Sequence, residues 1–143
     1  MIELEFSKTL RDLNIQIFKN VNKRHKELGI DITPIQGTII MAIYENNEAL
    51  CQKNLEAFVS CNKSTLSSIL DTMEKKELIQ RSNDEFDTRK KIILLTKKSK
   101  DLIEKIAEDK IELEKKMCRG FTVKEKEMLL KYLNQMLENL ERM

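Results

Sequence analysis

At 143 residues the chain is of single-domain length, and a 41% hydrophobic content is enough for one modest core. Its 35% charged residues nearly balance to a formal net charge of +2, so total charge neither demands nor excludes a nucleic-acid partner. With only 3 glycines and 1 proline, tight turns are scarce and a mainly helical protein is expected.

Residues 1–28 read as a helix, because Phe6, Leu10, Leu13, Ile17, Val21 and Leu28 recur at helical spacing. Ile15 and Phe18 fall off that stripe, so this helix should meet more than one partner. Gly29 is a stop. Thr33-Pro34-Ile35-Gln36 is a start: Thr33 caps, Pro34 suits the first helical position, and Gln36 closes a capping box. This second helix carries Ile39, Ile40, Ile43 and Tyr44 to about Asn46. Leu55 to Val59 reads as a short helix and Val59 to Asn62 as a turn. Asn62 then caps a helix over about 63–76, with Leu66, Ile69, Leu70 and Met73 inward. The period changes at Ile79. Ile79–Ser82 and Lys91–Leu95 read as strands, and the polar stretch from Asn83 to Lys90 as the loop of a hairpin. Thr96 caps one long helix carrying Leu102, Ile103, Ile106, Leu113 and Met117, which Gly120 ends. Thr122 and Glu125 form a capping box for a last helix with Leu129, Leu133, Met136, Leu137 and Leu140.

The fold class expected is mainly α with a small β-hairpin wing. A winged helix-turn-helix lobe over 33–96 is flanked by helices over 1–28 and 97–143, in a single domain of 1–143. Apolar positions over 4–28 and 121–140 exceed what a monomer of this length can cover, so a homodimer is expected. No apolar run approaches the roughly 20 residues of a membrane span, and residues 1–5 show no basic stretch followed by an apolar core, so no signal peptide is expected. Cys51, Cys61 and Cys118 lack a disulfide-framework spacing. A cytoplasmic protein with no membrane partner is expected.

The helix after Asn62 carries Lys63, Ser64, Thr65, Ser67 and Ser68 in its first two turns. Hydroxyls reach base edges and phosphates, and a helix N-terminus favours a phosphate. On an isolated helix a solvated first turn would explain these residues equally well; the hairpin behind them favours the nucleic-acid reading. From Arg81 to Lys100 there are seven basic residues against three acidic, a net +4 that the global balance hides. Asp87, Arg89, Lys90 and Lys91 stand at the hairpin tip, where cations can neutralise phosphates or enter a minor groove.

The stretch from Leu55 to Ile79, with Ser64-Thr65 on the helix and Glu74-Lys75-Lys76-Glu77-Leu78 at its end, resembles the MarR family of bacterial regulators. Asp87-Thr88-Arg89 and Leu95-Thr96 extend the resemblance. It implies a homodimer built from the first and last two helices, acting on double-stranded DNA as a ligand- or stress-responsive repressor at a pseudo-palindromic operator. It implies DNA contacts by Asn62, Lys63, Ser64, Thr65, Ser67 and Ser68 in the major groove and by Arg89 in the minor groove, with Lys90 a further DNA contact beside it. Asp87 would orient Arg89 or brace the wing. A small-molecule effector pocket is implied where the first, second and fifth helices meet the DNA-binding lobe, with His25, Met41 and Tyr44 as candidates. The chain departs from the family at Ser60 and Glu77, where glycine is common, and at Thr88, where arginine is frequent. Should position 77 need a positive φ, Glu77 would cost roughly 1 kcal/mol.

Other chemistry finds little support. His25 is the single histidine and is expected at the surface or the dimer interface; it cannot build a histidine-rich metal site, and no metal or cofactor is expected. No cysteine precedes Cys51, so peroxide sensing by a first-helix cysteine does not carry over. Cys61 fills the apolar slot of the turn, and Cys118 lies near a helix end. Gly29, Gly37 and Gly120 form no phosphate loop, and no catalytic set can be assembled, so no enzyme is expected. The competing readings are a winged-helix protein-interaction module without DNA binding, and a coiled-coil oligomerisation protein. The second leaves the wing unexplained.

Overall fold

Residues 5–59, 61–87 and 89–143 are described by a computed structural model of the chain. Ser60 and Thr88, two of the departures named above, lie outside the described residues. The chain divides into two compact units, Met1–Lys110 and Ile111–Met143.

The first unit begins with α1 (Glu5–Glu27). Gly29 ends it in the left-handed region, φ 69°, so that Ile30 N–H reaches back to His25 O at 2.9 Å. Helix α2 (Pro34–Glu45) starts as expected: Thr33 accepts from Gln36 N–H, and the Gln36 side chain returns to Thr33 N–H at 3.0 Å. Its Ile39, Ile40 and Ile43 are fully buried, which makes α2 the centre of the core.

Strand β1 (Ala49–Cys51) follows, and sequence periodicity gives no sign of it. Three residues are too short to show alternation, and the strand exists only because β3 (Lys91–Leu95) pairs with it, Leu50 opposite Ile93. The short helix is also displaced. Helix α3 is Gln52–Leu55, and the residues from Glu56 to Val59, expected inside it, form the turn. Leu55 is still buried, at the helix's end and not its start.

Helix α4 (Lys63–Lys75) is capped by Asn62, whose Oδ1 accepts from Thr65 N–H at 2.8 Å. It turns Leu66, Leu70 and Met73 into the core. Strand β2 (Ile79–Asn83) then pairs with β3, giving an antiparallel sheet of order β1-β3-β2. Ile79, Ile93 and Leu95 close the core against α2 and α4. Burying a side chain of this size is worth about 1.5–3 kcal/mol.

Thr96 caps as expected, in a reciprocal box with Ser99, but the helix it opens is short. Helix α5 (Lys97–Lys100) gives way to a tightened turn in which Leu102 N–H bonds to Ser99 O at 3.0 Å. Helix α6 (Ile103–Met117) then resumes, with Leu102 and Ile103 packed on the core and Ile106 buried in it. Helix α6 runs on into the second unit. There Gly120, φ 90°, separates α6 from α7 (Val123–Glu141). Thr122 and Glu125 box the start of α7, and the Thr122 N–H and hydroxyl hold the Glu125 carboxyl below its usual range.

The junction of α4 and β2 turns on Glu77. Its N–H bonds to Glu74 O at 3.0 Å and Leu78 N–H to Met73 O at 2.9 Å, the two bonds of a Schellman end. The motif puts Glu77 at φ 62°. Left-handed strain for a residue with a Cβ is about 1–2 kcal/mol, while a glycine's greater freedom in the unfolded chain returns roughly 0.5–1 of it. Glu77→Gly should therefore stabilise the protein by about 0.5–1 kcal/mol, raising the thermal midpoint by roughly 2 °C. An unchanged or lower midpoint would contradict this account of the turn.

Candidate nucleic-acid interface

Helix α4 presents its first two turns outward. Asn62, Lys63, Ser64, Thr65 and Ser68 are exposed. Ser64 Oγ donates to Asn62 Oδ1 at 3.2 Å, so the cap residue serves both a side chain and the Thr65 amide. Leu66 N–H bonds to Asn62 O. The amides of Lys63 and Ser64 precede these and have no place in the intrahelical ladder, and the Lys63 side chain is exposed in the same turn.

Ser67 differs from its neighbours. It is half-buried and accepts from Gln52 Nε2 at 2.8 Å, which ties α4 to α3 across the turn. Gln52 was not legible as a site residue, since 15 positions separate it from its partner.

At the wing tip the polar groups close on themselves. Asp84 N–H bonds to Lys90 O at 3.0 Å, and Lys90 N–H to Asp87 O at 3.0 Å. Asp84 Oδ1 accepts from Phe86 N–H at 3.2 Å. Asp87 Oδ1 accepts twice from Arg89, from its backbone N–H at 3.0 Å and from Nε at 3.3 Å. The Asp87 side chain is 34% exposed and that of Arg89 is 91% exposed. Such a pair contributes little to stability at this exposure. The contact is local, joining residues two apart in the loop. Lys90 and Lys91 are exposed beside it.

The basic stretch is less available than its sequence suggests. Arg81 is turned inward, its side chain 20% exposed, and Nη2 donates to Asp71 Oδ1 on α4 at 2.8 Å. Its Nε is buried without a partner among the described residues. Arg81 is thus a brace between the wing and α4. The sequence signal was absent, because Asp71 and Arg81 belong to different elements. Lys100 pairs with Glu48 at 2.9 Å, and Lys98 Nζ donates to Lys76 O at 2.8 Å. Exposed Lys97 completes the set.

The effector candidates lie in different environments. His25 is 2% exposed, where sequence reasoning placed it at the surface or the dimer interface. Its Nδ1–H donates to Ile32 O at 3.1 Å, fastening the end of α1 to the entry of α2, a contact that spacing alone does not reveal. Met41 is half-buried against the core, and Tyr44 is exposed. An open cleft of about 630 Å³ lies elsewhere, between the end of α4, β2 and α5, and none of the three lines it. Cys61 packs half-buried on the core, and Cys51 Sγ donates to Asn54 Oδ1 at 2.7 Å. Among the described residues no three His, Cys, Asp or Glu side chains cluster as metal ligands, and no helix is long and apolar enough to cross a membrane.

A sequence model of the MarR family matches residues 32–91, the span that holds this interface. The HTH-type transcriptional regulator SarZ of Staphylococcus aureus is 30% identical over 112 residues, 78% of this chain and 71% of its own length. Among solved structures, the S. aureus MepR–DNA complex is similar with a TM-score of 0.86 at 26% identity, over 94% of this chain and 97% of that one. A MarR protein from Peptoclostridium difficile gives a TM-score of 0.86 at 23% identity, over 96% of this chain and 88% of that one.

Asn62 is the residue on which the exposed turn of α4 depends. Asn62→Ala removes the acceptor of the Thr65 amide, and replacing such a cap costs about 1 kcal/mol. Denaturant unfolding should show that loss, with the Asp variant restoring most of it. Equal stability of the Ala variant and the native protein would contradict the capping role.

Proposed function

The chain belongs to the MarR family, and on that premise we propose that it is a DNA-binding transcription regulator acting as a homodimer on a pseudo-palindromic operator. The observation that carries the proposal is the pairing of an exposed, polar α4 start with an arginine held outward at the wing tip by Asp87. The MepR structure named above is a complex with DNA.

In this reading α4 is the recognition helix. Lys63, Ser64, Thr65 and Ser68 face the major groove, while Ser67 is aligned through Gln52. Arg89, weakly hydrated and forked, enters the adjacent minor groove, with Lys90 on the phosphates. Asp87 stays with Arg89 and does not confront the backbone.

A second copy is argued from the apolar side chains that each unit leaves uncovered. In the first unit these include Phe6, Leu10, Leu13 and Phe18 of α1. In the second they include Leu129, Leu130, Leu137 and Leu140 of α7. Charged residues separate them too little for a stable exposed face in water. Two copies related by a two-fold axis would place their recognition helices in half-sites about 10 bp apart. Repression through promoter occupancy, relieved by a small-molecule effector, completes the proposal and rests on family membership.

Sedimentation at low micromolar concentration should give the dimer mass, and a well-folded monomer would contradict the assembly. Genomic fragments selected by the protein should bind with an affinity that falls steeply between about 50 and 200 mM salt. Arg89→Ala should weaken binding strongly and reduce the salt slope by about one, with little change in thermal stability. Asp87→Ala should also weaken binding, although it removes a negative charge. Tighter binding by that variant would mean that the wing acts as a simple charge patch and that Asp87 does not orient Arg89.

A further inference from the structure

One side chain at the wing tip has no role in the interface described so far. Phe86 is 92% exposed, far more than any other phenylalanine in the described chain. Its position is not slack, because the Phe86 amide is held by Asp84 Oδ1 and the loop is closed below it by the Asp84–Lys90 backbone bond. A fully hydrated aromatic ring contributes nothing to folding, and its apolar surface is favourable only where something covers it.

The charges around the ring decide what can cover it. Three acids, Asp84, Glu85 and Asp87, flank Phe86 in sequence and by composition would repel DNA. Two of them are engaged within the loop: the Asp84 carboxylate bonds to the Phe86 amide, and the Asp87 carboxylate to the Arg89 amide and Nε. Among the described residues of the tip, Phe86, Arg89, Lys90 and Lys91 are exposed, and of the three acids only Glu85 is. An exposed apolar ring flanked by exposed cations, with Asp84 and Asp87 drawn back into the loop, suits a polyanionic groove with apolar sugar walls.

We propose that Phe86 enters the minor groove beside Arg89 as an apolar wedge against the sugars and base edges. It would select base steps that open easily, and so add shape readout to the charge readout of Arg89. This inference rests on the DNA-binding reading above and deepens it by naming a specificity-determining residue.

The salt dependence separates a neutral wedge from a charge. Phe86→Ala should weaken operator binding by about tenfold while leaving the salt slope unchanged, since no counterion is released by an apolar contact. The chain has no tryptophan. Phe86→Trp therefore supplies a single indole emitter at the tip, and its acrylamide quenching should drop sharply when operator DNA is saturated. An affinity of the Phe86→Ala variant within twofold of the native protein, together with indole quenching in the Phe86→Trp variant that saturating operator leaves unchanged, would overturn the wedge and leave the ring to a protein contact. If the native protein selects no DNA at all, the DNA-binding reading itself fails, and the wedge with it; that outcome is read before either variant is made.

Discussion

The left-handed turn at Glu77 sets where the wing stands relative to α4. There the chain leaves α4 with both bonds of a Schellman end and enters β2 within two residues. The Glu77 carbonyl accepts from Thr96 Oγ1 at 2.6 Å, and the neighbouring Lys76 carbonyl accepts from Lys98 Nζ. One turn therefore joins α4, the first strand of the wing and the helix that follows its second strand. Leu78 and Ile79, immediately beyond, are fully buried, so the turn cannot open without exposing core. Family resemblance places a glycine at this position. This chain tolerates a glutamate because the surrounding bonds over-determine the conformation.

A second tie, Arg81 to Asp71, works at the other side of the same junction. Together they tie α4 to the wing. For the groove-reading function proposed above, such ties matter because a hinge between the two elements would add conformational freedom to be lost on binding. The wing tip follows the same logic at smaller scale. Two of its carboxylates, Asp84 and Asp87, are engaged by backbone amides and by Arg89, and Glu85 stays exposed. Beside it the exposed residues include Phe86, Arg89, Lys90 and Lys91.

What the sequence made legible was local chemistry. The caps Thr33, Asn62, Thr96 and Thr122 act within three residues of themselves, and each was readable from side-chain type and spacing. Strand β3 was readable because β-branched and apolar residues run together from Ile92 to Leu95. What stayed hidden depends on distant partners. Strand β1 exists through β3, far along the chain. The break between α5 and α6 follows from Ser99 being turned into its own capping box while Leu102 and Ile103 both pack on the core. In the interface, Asp87 and Arg89 were readable because they lie two residues apart. The Arg81 brace, the Gln52–Ser67 bond and the burial of His25 were not, since composition counts charges and polar groups without saying which way they face.

The claim that α4 and the wing read neighbouring grooves as one rigid unit is tested most directly by groove-resolved footprinting on a selected operator. Protection of guanine N7 reports the major groove, and protection of sugars from hydroxyl radical reports the minor groove. The account predicts a patch of major-groove protection with minor-groove protection about half a turn outward, the pair repeated in mirror image about 10 bp away. Protection confined to one groove, or a minor-groove footprint whose offset from the major-groove patch varies between operators, would contradict it.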